Sequence, residues 1–141
     1  MSATRVLQLV GPSDSGKTTL LLEVAAMLSA RGRRVAYFKH HHDGAVPEKP
    51  RSDTERLAHY CIGTVLAEGP GSFVLRADVL PERLLPALGE ALGLDWWLVE
   101  GYKSQRLGLR VFTGMAAPGP GDEMLPRAAG ADWLLALMGE Q

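Results

Sequence analysis

Cysteine is nearly absent from this 141-residue sequence. Its one thiol, Cys61, has no partner for an internal disulfide, which excludes a disulfide-stapled secreted framework and fits a reducing compartment. A buried helix thiol is the simpler reading of Cys61 than a nucleophile. Net charge is nearly absent too: 15 Lys and Arg stand against 16 Asp and Glu, a balance of -1. That leaves no broad field to gather nucleic acid or an anionic membrane, so any phosphate binding must be local. Long apolar runs are missing. MSATRVLQLVG breaks at Gly11 and Pro12, and the stretch over residues 20–30 is interrupted by Glu23 and Ser29. Neither has the length of a membrane span nor the form of a signal peptide, and the expectation is a cytoplasmic protein. No internal repeat and no linker divides the chain, so residues 1–141 read as one domain.

What is present is an ordinary globular balance, 46% hydrophobic and 22% charged, in which strand-like and helix-like segments alternate. Residues 6–10 are a short apolar strand that stops at a glycine. Residues 17–31 carry apolar positions at 20, 21, 24, 25 and 28, a helical period that ends at Gly32. Residues 34–38 form a second strand, reached by a parallel, right-handed crossover. An irregular, histidine-bearing loop follows over 40–51, and a helix over 52–61 opens with a capping-box pattern at Ser52 and Glu55. Residues 64–67 and 73–76 read as a hairpin, 81–92 as a helix despite Pro86, and 96–99 as a compact strand. Beyond 109–112 the segment TGMAAPGPGDEMLP reads as a surface loop, and 131–137 as one more strand. The order points to α/β with a mostly parallel sheet.

The strongest motif is Gly11, Pro12, Ser13, Asp14, Ser15, Gly16, Lys17, Thr18, the pattern G-x-x-x-x-G-K-[ST] of a Walker A loop. It follows a strand and opens a helix, the context the motif requires; a glycine-rich turn that merely starts a helix would not need the Lys-Thr pair. Backbone N–H groups and the helix dipole converge there on phosphate, Lys17 reaches the β- and γ-phosphates, and Thr18 coordinates Mg²⁺. A metal-side carboxylate is also needed. Asp95 lies at the amino end of the 96–99 strand and Glu100 at its carboxyl end, where parallel sheets bind their ligands, so Glu100 is the better choice. The alternative for Glu100 is a solvated charge at a strand end. Lys39 and the histidines at 40–42 follow the second strand on the same rim. His40 and His42, two apart, would share a side if extended, and could meet a metal, a phosphate or solvent. Lys39 and Lys103, each beyond a strand end, could meet anionic groups or simply stand exposed.

GPSDSGKTTLLLEV, RGRRVAYFKHHHDG, EKPRSDTERLAHYCIGT and DWWLVEGYK, in this order and spacing, resemble the MobB family, the molybdopterin-guanine dinucleotide biosynthesis protein B, over about residues 5–113. The resemblance implies a P-loop NTPase-like, three-layer α/β/α fold. It also implies a dimeric GTP-binding protein of weak GTPase activity that assists the guanylyltransferase joining GMP to molybdopterin, by supplying or positioning GTP or the pterin. Carried over by position, Gly11 to Thr18 and Thr19 bind GTP, Lys17 and Glu100 serve the chemistry, and Thr18 and Glu100 stand near Mg²⁺. Lys39, His40, His42, Asp53 and Lys103 fall in the family's polar segments as further candidate cofactor contacts. The chain departs from the family pattern after Lys103, where it reads SQRLGLRVF, and it has no N-K-x-D guanine signature. Two other readings compete: a small-molecule kinase with Glu100 as base, and a metallochaperone GTPase binding metal at the histidine run.

Overall fold

The computed structural model describes residues 3–12, 15–39, 63–67, 73–77, 80–114 and 119–140. The loop expected over 40–51 and the helix over 52–61 lie outside these residues. Two compact units partition the chain, one of Met1–His40 with Leu85–Gln141 and one of His41–Leu84.

The first unit is built on β1 (Arg5–Val10), whose Leu7 and Leu9 are wholly buried. A strand that apolar is stable only with both faces covered. It is central in a parallel sheet of order β2-β5-β1-β6-β7, comprising β2 (Val35–Lys39), β5 (Trp96–Glu100), β6 (Leu109–Phe112) and β7 (Glu123–Met124). β2 runs parallel to β1 as expected, with β5 lying between them. On one face Leu7, Leu9, Trp96, Leu98 and Val111 pack against α1 (Lys17–Ala30), through Leu21, Val24 and Leu28, and against α3 (Ala131–Met138). On the other face Trp97 and Val99, with Val6, Ala36 and Phe38 at its margin, pack against Leu85 and Leu88 of α2 (Pro81–Leu92). The period of two thus sorts neighbouring residues of one strand into two cores and gives three layers. α2 approaches so closely that a Cβ on Gly89 would stand 2.6 Å from Thr4 Oγ1. In the second unit β3 (Gly63–Ala67) and β4 (Phe73–Ala77) form the expected antiparallel hairpin.

One expectation is corrected. Residues 131–137 are not a strand but most of α3. Ala131, Leu134, Leu135 and Met138 are buried at the i, i+3, i+4, i+7 spacing of a helix face, and ADWLLALM has no β-branched residue to favour extension. The helix is fastened at its end: Arg5 donates to the Met138 carbonyl (3.0 Å), Trp96 donates to Glu140 (3.1 Å), and Arg33 pairs with the same carboxylate. Arg5 also lies over the Trp96 ring. The segment expected as a loop contains the two-residue β7, paired parallel to β6.

Asp122 ties that segment to the sheet. Its side chain is enclosed, accepts from Arg106 and Arg110 at 2.8 to 3.1 Å, and takes the Gly119 N–H at 3.1 Å. Arg110 first, then Arg106 and the Gly119 amide, outweigh burial and hold its pKa down at about 2. A folded-state pKa below the unfolded value means stability that is present above about pH 4 and lost as the pH falls toward 2. In thermal melts from pH 6 to pH 2, Asp122→Asn is expected to start less stable and to lose less of its stability over the acid limb than the parent. Parallel acid limbs would refute this assignment.

Candidate functional site

Because the five strands are parallel, β1, β2, β5 and β6 all end on one edge. In register Leu9 pairs with Glu100, Glu100 with Lys39, and Val10 with Phe112, so the ends are level. β1 passes into Gly11, against which Thr113 packs; a Cβ on Gly11 would collide with the Thr113 hydroxyl. Thr113, fully buried, donates its N–H to the Val10 carbonyl at 2.7 Å and shares a 2.8 Å hydrogen bond with Ser15. Gly16 then takes a left-handed φ of 84°, accessible at little strain to glycine, and starts α1 with no side-chain cap and no acidic residue in the first turn. Among the described residues no side chain caps the first N–H groups of α1, which stand at the positive end of the helix dipole where an external acceptor can reach them. Lys17 arches back over the loop and donates to the carbonyls of Gly11 (2.7 Å) and Pro12 (2.8 Å).

Glu100 is only 7% exposed although charged. Its Oε1 accepts from the Thr18 hydroxyl at 2.6 Å and from the Tyr37 hydroxyl at 2.9 Å, and its Oε2 lies 3.6 Å from the Lys39 ammonium. Alternation along the strands explains the meeting: Tyr37 and Lys39 share one face of β2, Glu100 continues the Trp96 and Leu98 face of β5, and that face looks toward α1. Burial raises the Glu100 pKa, but the Thr18 and Tyr37 hydroxyls, then Lys39 and Lys17, outweigh it and leave the group below its usual value. Tyr37 moves the opposite way, raised by burial and then by its bond to the Glu100 anion, so it stays a proton donor at neutral pH.

The structure brings together Gly11, Pro12, Ser15, Gly16, Lys17, Thr18, Lys39 and Glu100. Thr19 is exposed in the first turn of α1, and Lys103 is exposed in the turn after β5, where its carbonyl accepts from Arg110. Ser13, Asp14, His40, His42 and Asp53 lie outside the described residues. Asp95 has a structural task at the other end of β5, accepting the Arg34 N–H at 2.8 Å. Three contributors were not read from the sequence. Tyr37 and Thr113 become site residues only when strand order is known. Gln8 carried a signal, a lone amide inside an apolar strand: wholly buried, it donates to the carbonyls of Gly101, Tyr102 and Gln105 and accepts the Leu107 N–H, all at 2.9 to 3.1 Å. It thereby holds the turn that follows Glu100, in which Gly101 and Tyr102 both have positive φ.

The family model for molybdopterin guanine dinucleotide synthesis protein B, MobB, matches residues 6–111. The chain belongs to the MobB family. Among solved structures, a MobB protein homolog from Bacillus stearothermophilus is 26% identical, with 96% of each chain covered and a TM-score of 0.59. MobB of Bacillus subtilis is 23% identical over 94% of this chain and 96% of its own, with a TM-score of 0.61, and attests the fold. No curated protein sequence matches the chain. Among the described residues of this MobB-family chain no helix is long and apolar enough to cross a membrane. Nor do they hold a group of three or more His, Cys, Asp or Glu placed to bind a metal ion.

Proposed function

We propose that this MobB-family protein binds GTP with Mg²⁺ at the edge formed by the ends of β1, β2, β5 and β6. In that role it assists the guanylyltransferase that attaches GMP to molybdopterin, in contact with that enzyme and with the pterin. The observation that carries the reading is the 2.6 Å hydrogen bond between Thr18, at the start of α1, and Glu100, at the end of the neighbouring parallel strand. A hydroxyl and a carboxylate beside uncapped helix N–H groups are hard oxygen donors next to an anion site. That donor set suits Mg²⁺, which takes few protein ligands and completes its shell with water and phosphate oxygens.

In this reading the amides of the glycine loop and of the α1 N-terminus, including those of Ser13, Asp14 and Thr19, receive the phosphates. Lys17 exchanges its two loop carbonyls for phosphate oxygens. Thr18 donates its proton to Glu100 and keeps its lone pairs for Mg²⁺, and Glu100 holds the water shell or orients an attacking water. The ion supplies charge neutralisation on the β- and γ-phosphate oxygens. Lys39, His40, His42, Asp53 and Lys103 are proposed contacts for the rest of the ligand. Hydrolysis by the chain alone is expected to be slow, as the family resemblance implies: among the described residues Arg106 and Arg110 are both committed to Asp122, and an arginine on the transition state is worth about 10³ to 10⁵ in rate. The preference for guanine, the homodimer and the cytoplasmic location follow the family. One nucleotide-binding domain over residues 1–141 remains the reading of domain organisation.

Titration calorimetry of the purified protein with GTP and ATP, each with Mg²⁺, tests the reading. GTP is expected to bind at least about tenfold tighter, equivalent to about 1.4 kcal/mol. Preference for ATP would overturn the guanine assignment in favour of a small-molecule kinase, and binding of neither would remove the nucleotide site altogether.

A further inference from the structure

Resting on the nucleotide reading above, we propose that Tyr37 is a positioning residue for the Mg²⁺–nucleotide complex, orienting the Glu100 carboxylate by its hydroxyl on the oxygen that also accepts from Thr18. A carboxylate at the end of a strand turns about its terminal torsion, and broad torsions of this kind hold no single orientation unaided. Thr18 supplies one anchor. Lys39, 3.6 Å from Oε2 and half exposed, attracts the group without fixing its plane.

Tyr37 supplies the second directional contact. It pairs with Leu98, one step back from Glu100 on the same face, and its ring spans the two residues that separate it from the carboxylate. With two hydroxyls on Oε1, Oε2 is the oxygen left for a metal-bound water. Phenylalanine at position 37 would keep the ring and the apolar contacts and remove only this restraint. Tyr37 is 49% exposed as a residue, so its hydroxyl is a minor part of the fold's stability.

The test is calorimetric titration of GTP into the parent and Tyr37→Phe across a series of Mg²⁺ concentrations and in excess EDTA, with melting temperatures measured alongside. The Mg²⁺ concentration for half-maximal tightening of GTP binding is expected to rise about three- to tenfold in the variant, as for loss of one hydrogen bond to a charged group at a partly solvated site. Affinity in EDTA stays within about twofold, well under the 1.4 kcal/mol of a tenfold change. An unchanged Mg²⁺ requirement, or an equal loss with and without Mg²⁺, overturns the role of Tyr37 and leaves the nucleotide reading standing. A parent protein whose GTP binding ignores Mg²⁺ overturns the role of Tyr37 together with the metal part of the nucleotide reading, and a parent that binds no GTP overturns that reading whole.

Discussion

Lys17→Ala is expected to weaken GTP binding by about 10- to 100-fold in calorimetric titration, with the fold intact. A hydrogen bond to a charged group contributes about 1.5–3 kcal/mol, and each 1.4 kcal/mol is about a factor of ten in affinity. The net figure falls short of the sum of several such bonds because the ammonium is not idle in the free protein. It donates to the carbonyls of Gly11 and Pro12 at 2.7 and 2.8 Å, and both bonds are given up when phosphate arrives. Pro12 is exposed, so water replaces the lost donor there and the melting temperature changes little. Lys17→Arg should not rescue binding: a planar guanidinium is larger than the point-like ammonium that the loop encloses. Affinity equal to the parent's would exclude residues 11–18 as the phosphate site.

Glu100→Ala is expected to abolish the dependence of GTP affinity on Mg²⁺ and to drop hydrolysis to background. The side chain is the meeting point of Thr18, Tyr37 and Lys39, so its removal takes away the metal-side carboxylate and the acceptor that directs the Thr18 hydroxyl. Thr18, Tyr37 and Lys39 all reach solvent, so the orphaned donors can turn to water and the loss in stability stays below about 1 kcal/mol. Glu100→Gln keeps an acceptor oxygen but no charge, and should fall between. Mg²⁺-dependent binding that persists in Glu100→Ala would exclude Glu100 from the metal shell.

The unit from β1 through the glycine loop to α1 was legible because each of its signals is local: an apolar run, two glycines five apart with Lys-Thr after the second, then a helical period. Glu100 was legible for a topological reason, since the carboxyl end of a parallel strand is where such sheets bind ligands. Tyr37 was not. Its importance depends on β2 lying beside β5 rather than beside β1, a pairing decided by tertiary packing and invisible in VAYFK itself. The misreading of 131–137 has a different cause: a short apolar run fits either a strand or a helix that is mostly buried, and periodicity over seven residues does not separate the two. The absence of β-branched residues in ADWLLALM was the available clue. Thr113 reads as an ordinary loop residue until the close approach of Gly11 is seen.

Surface turns usually tolerate changes in length. The turn over residues 101–107 is an exception, and the reason is one side chain in another strand. Gln8 shares its two amide hydrogens among three carbonyls of that turn and accepts one N–H from it, so an inserted or deleted residue would shift these partners relative to a wholly buried side chain. The spacing between Glu100 and Leu109 is therefore matched to the side chain at position 8, and a homologue with a longer or shorter turn here is expected to carry a different residue in its first strand.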